Sequence, residues 1–298
     1  VGALNVDRLY LVERIAEPGE EVRVLDSRKS AGGSAANTIA GLARLGVSTG
    51  FIGAVGRDEE GKFLLGELER EGVDTACVAR LGAPTGVVIA LVDRRGERCL
   101  YVHPGANDQV ELSQKCIEYA QRAEIVHMSS FVGDRGFEMQ LELSRRAGGR
   151  VSFAPGMLYA EGRCLVELKE LIAASRVVFV NEEELFLLTG NRGTRGAEML
   201  LELGAGMVAV TRGAEGCTVV GEEEVSVPAV STEVVDTTGA GDAFAAGFLF
   251  GLLRGYKPEI CARLGNFVAA RCIAQVGARA GLPTAREVEE FLKTQEFL

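Results

Sequence analysis

Residues 236–247 read DTTGAGDAFAAG and concentrate groups suited to a developing negative charge. Glycines at 239 and 241 let the backbone approach a ligand with no side chain in the way. They stand at the head of a segment whose apolar residues Phe244, Phe248, Leu249 and Leu252 recur at helical spacing. A helix N-terminus carries unpaired N–H groups and the positive end of its dipole, so the turn with Gly239 and Gly241 forms a candidate anion cradle. A phosphoryl group in transfer spreads charge over its oxygens, and donors fixed there stabilise that state above the ground state. Asp242, one step further on, is placed to accept the proton of an attacking hydroxyl. An isolated Asp in a first helical turn is ordinarily a cap or a dipole partner, so the role of base needs support from the rest of the chain. The preceding segment TEVV (232–235) is read as a strand, which gives the order strand, glycine turn, helix.

The seven residues DTTGAGD resemble the second signature of the ribokinase-like (PfkB) carbohydrate kinases. That resemblance implies an anion hole at Gly239, Ala240 and Gly241 and a catalytic base at Asp242. Further stretches resemble the family's other motifs in the family's order. GALNVD resembles GxxNxD, whose Asp hydrogen-bonds sugar hydroxyls, which implies that role for Asp7 with Asn5 nearby. AGGSAANTIAGLARLG (31–46) resembles the first signature and implies that Gly32 and Gly33 admit the substrate to the backbone while Asn37 donates to its hydroxyls. PGAND (104–108) resembles the return from the family's lid, making Asn107 a candidate substrate contact. NEEE (181–184) resembles NxxE, which organises a magnesium shell through water, implying Asn181 and Glu184. TRGAEG (211–216) resembles the TxGxxG segment at nucleotide phosphates, implying Thr211, Gly213 and Gly216. Asn266 and Gly277 have a spacing similar to the family's adenine pocket, and Asp236 matches a ligand of the monovalent cation, such as K⁺, found in relatives. The implied reaction is transfer of the terminal phosphoryl group of ATP, with Mg²⁺, to a hydroxyl of a sugar-like acceptor. Taken without the resemblance, an Asp after a first strand is often a turn residue, and acidic residues opening a helix complement its dipole.

These residues need a scaffold, and apolar strand-type runs alternate with amphipathic helical stretches for most of the chain. VGALNV, FIGAV, EIVHM, VSFA, VVFV and MVAVT read as strands, with SAANTIAGLARLG and EEGKFLLGELEREG as helices between the first of them. The alternation predicts an α/β fold with a mostly parallel sheet covered by helices on both faces. The resemblance sharpens this to a ribokinase-like three-layer α/β/α sandwich with a small β-sheet lid. Residues 8–30 and 85–104 break the rhythm as hairpin-like strands with no intervening helix, the second turning at Arg94, Arg95 and Gly96. The expectation is one kinase domain over 1–298, with the lid built from about 8–30 and 85–104. The last third ends in helices. The chain opens inside an apparent strand at Val1, as one lacking its first few residues would.

Composition excludes several classes. A net charge of −10 with no basic cluster repels a phosphate backbone, so nucleic acid is not expected as a partner. No run approaches the roughly 18 apolar residues of a membrane span, and no signal peptide is visible, so a cytoplasmic protein is expected. Seven scattered cysteines lack the pairing of a disulfide framework or zinc site and read as reduced thiols. GRDEEGK (56–62) completes GxxxxGK, but Phe63 replaces the hydroxyl that would meet Mg²⁺ and Asp58, Glu59 and Glu60 would repel phosphate. It is read instead as a turn shaped by Gly53, Gly56, Asp58 and Gly61. His103 and His127 are too few and isolated for a metal site or a Ser/His/Asp triad. His127 is read as a core or edge residue, and His103 lies at the lid's exit.

The acceptor stays open among a free sugar, a nucleoside, a sugar acid of the ketodeoxygluconate type and a sugar phosphate. The last would want basic lid residues, and Arg94, Arg95 and Arg98 look like a turn and its exposed flank. A noncatalytic sugar or nucleotide sensor is a different class of reading, opposed by the intact Asp242. A dinucleotide-dependent oxidoreductase fits the α/β rhythm but lacks an early GxGxxG. Exposed lid strands pairing edge to edge would make a homodimer.

Overall fold

A computed structural model describes residues 1–294. Within them the strands are β1 (Asn5–Val12), β2 (Val24–Gly32), β3 (Gly50–Gly56), β4 (Asp74–Leu81), β5 (Gly86–Val92), β6 (Arg98–His103), β7 (Val126–Ser129), β8 (Val151–Ala154), β9 (Ser175–Asn181), β10 (Val208–Thr211), β11 (Cys217–Val220) and β12 (Glu224–Val227). The larger sheet has the order β12-β11-β10-β9-β8-β7, with β7 to β10 mutually parallel and β11 and β12 antiparallel at one edge. Its other edge continues through the opening residues to the parallel pair β3–β4. Val1 N donates to His127 O (2.6 Å), Ser129 N donates to Val1 O (3.1 Å), and Gly2 N donates to Ile52 O (3.4 Å).

Period-two side-chain alternation divides the core into two layers. Val177, Phe179 and Ala209 face one helical layer, while Val178, Val180, Val208 and Val210 face the other. The first layer includes helices Ser34–Arg44, Glu59–Arg70, Ala240–Leu253 and Pro258–Ile273; the second includes Asp134–Ala147, Leu165–Ala173 and Glu182–Thr189. Both faces of a mainly parallel sheet are thus covered, and each large apolar side chain so buried contributes about 1.5–3 kcal/mol. The Ala240–Leu253 helix is apolar all round, and every residue from Ala243 to Leu252 is buried. Such a helix belongs inside the molecule, which fixes its N-terminus firmly against the sheet. Among the described residues no helix is long and apolar enough to cross a membrane.

A second, four-stranded sheet has the order β2-β1-β5-β6. β1 runs antiparallel to β2 and parallel to β5, and β5 turns back into β6 through Asp93–Gly96. Asp7 lies on β1 opposite Ser30 and Val88. Asp58 ties this sheet to the core. It N-caps the Glu59–Arg70 helix by accepting from Gly61 N (2.8 Å), and it accepts from Thr85 N (2.7 Å) and Thr85 Oγ1 (2.5 Å) just before β5. The acidic residue that spoils a phosphate loop is therefore the pin of a strand-to-helix turn.

The strand expected at TEVV does not form. Residues 228–239 are irregular, and Val234 and Val235 are exposed. Val235 N and Asp236 N instead donate to Ile273 O at 2.8 and 3.2 Å. That carbonyl ends the Pro258–Ile273 helix and has no partner within it, so Val235, a β-branched residue with strand propensity, serves with Asp236 as a helix terminator.

Candidate active site

Gly239 N-caps the Ala240–Leu253 helix in the left-handed region (φ 76°), and a Cβ there would stand 2.4 Å from the Cβ of Ala278. Conformation and packing both select glycine. Gly241 is different, because no atom lies within 4 Å of where its Cβ would be. That open space adjoins a cavity of about 130 Å³ lined by Ser34, Thr38, Asn181, Glu184, Thr211 and Asp242 among others. The helix head therefore has room for a ligand group above it.

Asp242 is half-buried, and its two oxygens are held by a neighbouring helix. Ser34 Oγ donates to Oδ1 (2.6 Å), Asn37 Nδ2 donates to Oδ2 (2.9 Å), and Thr38 Oγ1 donates to the main-chain oxygen (3.3 Å). Ser34, Asn37 and Thr38 share one face of the Ser34–Arg44 helix at i, i+3 and i+4. Burial pushes the Asp242 carboxyl above the usual carboxylate range, against the hydrogen bonds of Ser34 and Asn37 and the charge of Arg279. A carboxylate whose pKa is raised is a better proton acceptor.

Asp7 approaches the same place from the smaller sheet. Burial pushes its carboxyl up to about 6, with Arg279 opposing and Asp242 adding to the shift. Gly32 makes the room, since a Cβ there would stand 2.2 Å from Asp7 Oδ2. Gly33 N-caps the Ser34–Arg44 helix at φ 104°, where a Cβ would meet Ala3 O at 2.2 Å. Asn107, placed with the substrate contacts by sequence, is buried and fully engaged. Its Oδ1 accepts from Leu4 N (2.9 Å), and its Nδ2 donates to Leu4 O, Asn5 Oδ1 and Pro104 O, all at 3.0 Å. Its geometry is that of a pin holding Asn5 and the start of β1.

Asn181 and Glu184 form a capping box on the Glu182–Thr189 helix. Asn181 Oδ1 accepts from the amides of Glu183 (2.9 Å) and Glu184 (2.8 Å), and Glu184 Oε2 accepts from Asn181 N (3.0 Å). Helix capping and a place on the cavity wall therefore coexist. Burial raises the Glu184 carboxyl, Asn181 N opposes it, and the charges of Asp242 and Glu183 add to it. Asn181 is paired with Thr211 across β9 and β10. Both also line an adjoining open groove of about 670 Å³, together with Gly213, Arg192 and Arg212. Groove and cavity meet at the tips of two parallel strands, and the cavity continues to Asp242, the kind of place where ligands bind open α/β sheets.

Gly216, Asn266 and Gly277 do not line either space. Gly216 packs where a Cβ would meet Val227 O at 2.1 Å. Asn266 Nδ2 donates to Val227 O (3.2 Å) and Pro228 O (2.9 Å). Gly277 N donates to Asp236 Oδ2 (2.8 Å), and Thr238 N donates to Asp236 Oδ1 (2.9 Å). Asp236 thereby ties the glycine loop to the turn after the Pro258–Ile273 helix. Burial acts to raise its pKa, but the bonds from Thr238 and Gly277 prevail and leave it below the ordinary value. His127 is buried, its Nδ1 3.0 Å from Ser152 Oγ, and burial lowers its pKa to about 3.

Sequence reasoning passed over Ser34, Thr38 and Arg279. Ser34 and Thr38 could have been found, because they share a helical face with Asn37 within a stretch already singled out. Arg279 carried no local signal. It reaches Asn37 across 242 residues, its Nε donating to Oδ1 at 2.9 Å.

Residues 1–285 match the pfkB family carbohydrate kinase. The chain is 44% identical over 246 residues to an uncharacterized sugar kinase of Archaeoglobus fulgidus, covering 82% of this chain and 98% of that one. It is 34% identical to an ATP-dependent ribose-1-phosphate kinase of Halopiger xanaduensis, over 98% of this chain and 96% of that one. Among solved structures, ribokinase from Thermotoga maritima superposes with a TM-score of 0.87 at 29% identity, covering 98% of this chain and 97% of the other. Arabidopsis thaliana ribokinase complexed with ribose and ATP superposes at 0.88 with 26% identity and the same coverage. The family match and the sugar-kinase relatives define a phosphotransferase acting on a sugar hydroxyl. The chain belongs to the pfkB family of carbohydrate kinases, and its architecture is the ribokinase-like α/β sandwich.

Proposed function

We propose that this enzyme transfers the terminal phosphoryl group of ATP to a hydroxyl of a free sugar held between Asp7 and Asn37, with Asp242 as the base. The observation that carries the proposal is the convergence of two helix N-termini on Asp242 beside the open backbone at Gly241. Asp242 takes the proton of the attacking hydroxyl while the amides of Gly239, Ala240 and Gly241 hold the transferring group. The groove at Asn181, Thr211 and Gly213 takes the nucleotide phosphates, with Arg192 and Arg212 as further counter-charges. Asn266 and Gly277 act behind it as supports for an adenine-binding wall.

The half-buried Glu184 carboxylate on the cavity wall fits magnesium brought in with the nucleotide; Glu184 and Asn181 would hold it through water, and it would neutralise phosphate charge. Asp236, kept ionised beside the glycine loop, fits a monovalent cation such as K⁺.

The chain acts as a single kinase domain with the four-stranded sheet as its lid. Leu9, Leu100 and Val102 are exposed on the same face of that sheet as Asp7, as alternation along β1, β5 and β6 requires. Closing this face over the acceptor, or against a second copy of the chain, covers the apolar surface and excludes water from the transfer. Arg95 is paired with Asp93 in the hairpin turn rather than offered to a sugar phosphate, which favours an uncharged acceptor. The seven cysteines are unpaired and suit the reducing cytoplasm.

A product screen over sugars, nucleosides, sugar acids and sugar phosphates with MgATP tests the assignment. A phosphorylated sugar is expected; nucleotide binding with no phosphorylated product from any alcohol would favour a sensor. Asp242→Asn should keep nucleotide affinity and lose at least about 100-fold in turnover, and undiminished turnover would refute the base.

A further inference from the structure

We infer that Arg279 is a positioning residue for the catalytic base, fixing the Asn37 amide and supplying the positive charge that faces the carboxyls of Asp242 and Asp7. The inference rests on Asp242 being the base.

Arg279 Nε donates to Asn37 Oδ1 (2.9 Å), and Asn37 Nδ2 donates to Asp242 Oδ2 (2.9 Å). The first bond decides the second. With its oxygen engaged by a guanidinium, the Asn37 amide can present only its NH₂ to the base, so a flipped amide that would set oxygen against carboxylate is excluded. The backbone that delivers Arg279 is itself anchored. Arg44 Nη1 donates to Arg279 O (2.6 Å), while Arg44 Nε and Nη2 form a bidentate pair with Glu71 at 2.7 and 2.6 Å.

The rest of the guanidinium has no other task in view. Nη1 and Nη2 are buried without a hydrogen-bond partner among the described residues. Burial lowers the Arg279 pKa, and the charges of Glu71, Glu67, Asp242 and Asp7 oppose that shift. A buried cation left with two unpaired nitrogens is costly, and what offsets it here is the field of the carboxylates around it. The titratable groups facing Asp242 are Asp7 from β1, Glu184 from the Glu182–Thr189 helix, Cys272 from the Pro258–Ile273 helix and Arg279. Within that set Arg279 is the cation. Without it, Asp7, Glu184 and Asp242 would face one another uncompensated, and protonation would spread through them.

The test is the pH profile of kcat for wild type, Arg279→Met and Arg279→Lys with the best acceptor from the product screen, each variant first shown native by circular dichroism. Removing a cation raises a neighbouring carboxyl, so the acid limb for Arg279→Met should move to higher pH by about one unit or more, with the KM for ATP unchanged. Arg279→Lys retains the charge but loses the fork that grips Asn37, so its kcat should fall severalfold while its acid limb stays near that of wild type. Coincident limbs for Arg279→Met and wild type overturn the counter-charge, and so does a lysine limb displaced by a full unit, which decides the matter if the methionine variant does not fold. An undiminished kcat in Arg279→Lys overturns the role through Asn37. Absence of wild-type turnover on every alcohol is a different outcome and sinks the kinase assignment instead.

Discussion

Asp7→Asn is expected to make the protein more stable and a poorer kinase, and the size of both effects follows from where the carboxyl sits. Burial moves Asp7 from 3.8 to about 6. A carboxyl whose folded-state pKa is raised contributes stability that is fully present below the unfolded value and is lost as pH rises through the folded one. Above about pH 6 the ionised Asp7 is therefore a cost, one that asparagine does not carry. Two pH units at about 1.4 kcal/mol each give roughly 3 kcal/mol as an upper figure, and roughly 2 kcal/mol once partial exposure and screening are allowed for. Unfolding free energies from urea melts of the two proteins should thus differ by that amount at pH 8 and by about half of it at pH 5. Acceptor binding should move the other way. Losing a charged acceptor of hydroxyl hydrogen bonds costs about 1.5–3 kcal/mol, so the KM for the sugar should rise about 10- to 100-fold while the KM for ATP holds. In the wild type, acceptor kcat/KM should decline as pH falls through about 6. An Asp7→Asn protein no more stable than wild type at pH 8, or a gain independent of pH, would refute the buried-charge reasoning; an unchanged sugar KM would remove Asp7 from the acceptor site.

The two cradle glycines should separate stability from catalysis. Gly241→Ala meets open space and should leave the melting temperature unchanged or slightly higher, yet cut turnover about tenfold or more by filling the cradle. Gly239→Ala must adopt φ 76° against Ala278 and should cost about 1–3 kcal/mol or more in a urea melt. Equal effects from both would show that the cradle is structural only. Asn107→Ala strips Leu4 of both partners and should destabilise by about 2–4 kcal/mol, with a sugar KM unchanged in the protein that remains folded; a stable variant with a raised sugar KM would return Asn107 to the substrate.

The chain's local grammar made much of this legible. Strand-type runs alternating with helical ones implied a sheet with two helical faces, because a helix or strand must bury its apolar side and the periods of 3.6 and 2 show which side that is. DTTGAGD could be read as a helix-opening cradle because glycine, an acidic residue and an apolar helix occur in one continuous stretch. Contacts between distant segments could not be read this way. TEVV has the residues of a strand but no sheet neighbour to pair with, and the free carbonyl of Ile273 claimed it instead. Asn107 and Asn266 have the polar side chains of ligand contacts, and nothing local shows that Asn107 also bonds Leu4, Asn5 and Pro104 or that Asn266 donates to Val227 and Pro228. By itself, then, the sequence determined the layered fold and singled out the glycine turn and Asp242 as candidates for the site. Only the tertiary structure decided that Asp242 is gripped by Ser34 and Asn37, that Asp7 is pushed toward neutrality, and that Arg279 stands among them, because burial and charge depend on distances that chain separation does not encode.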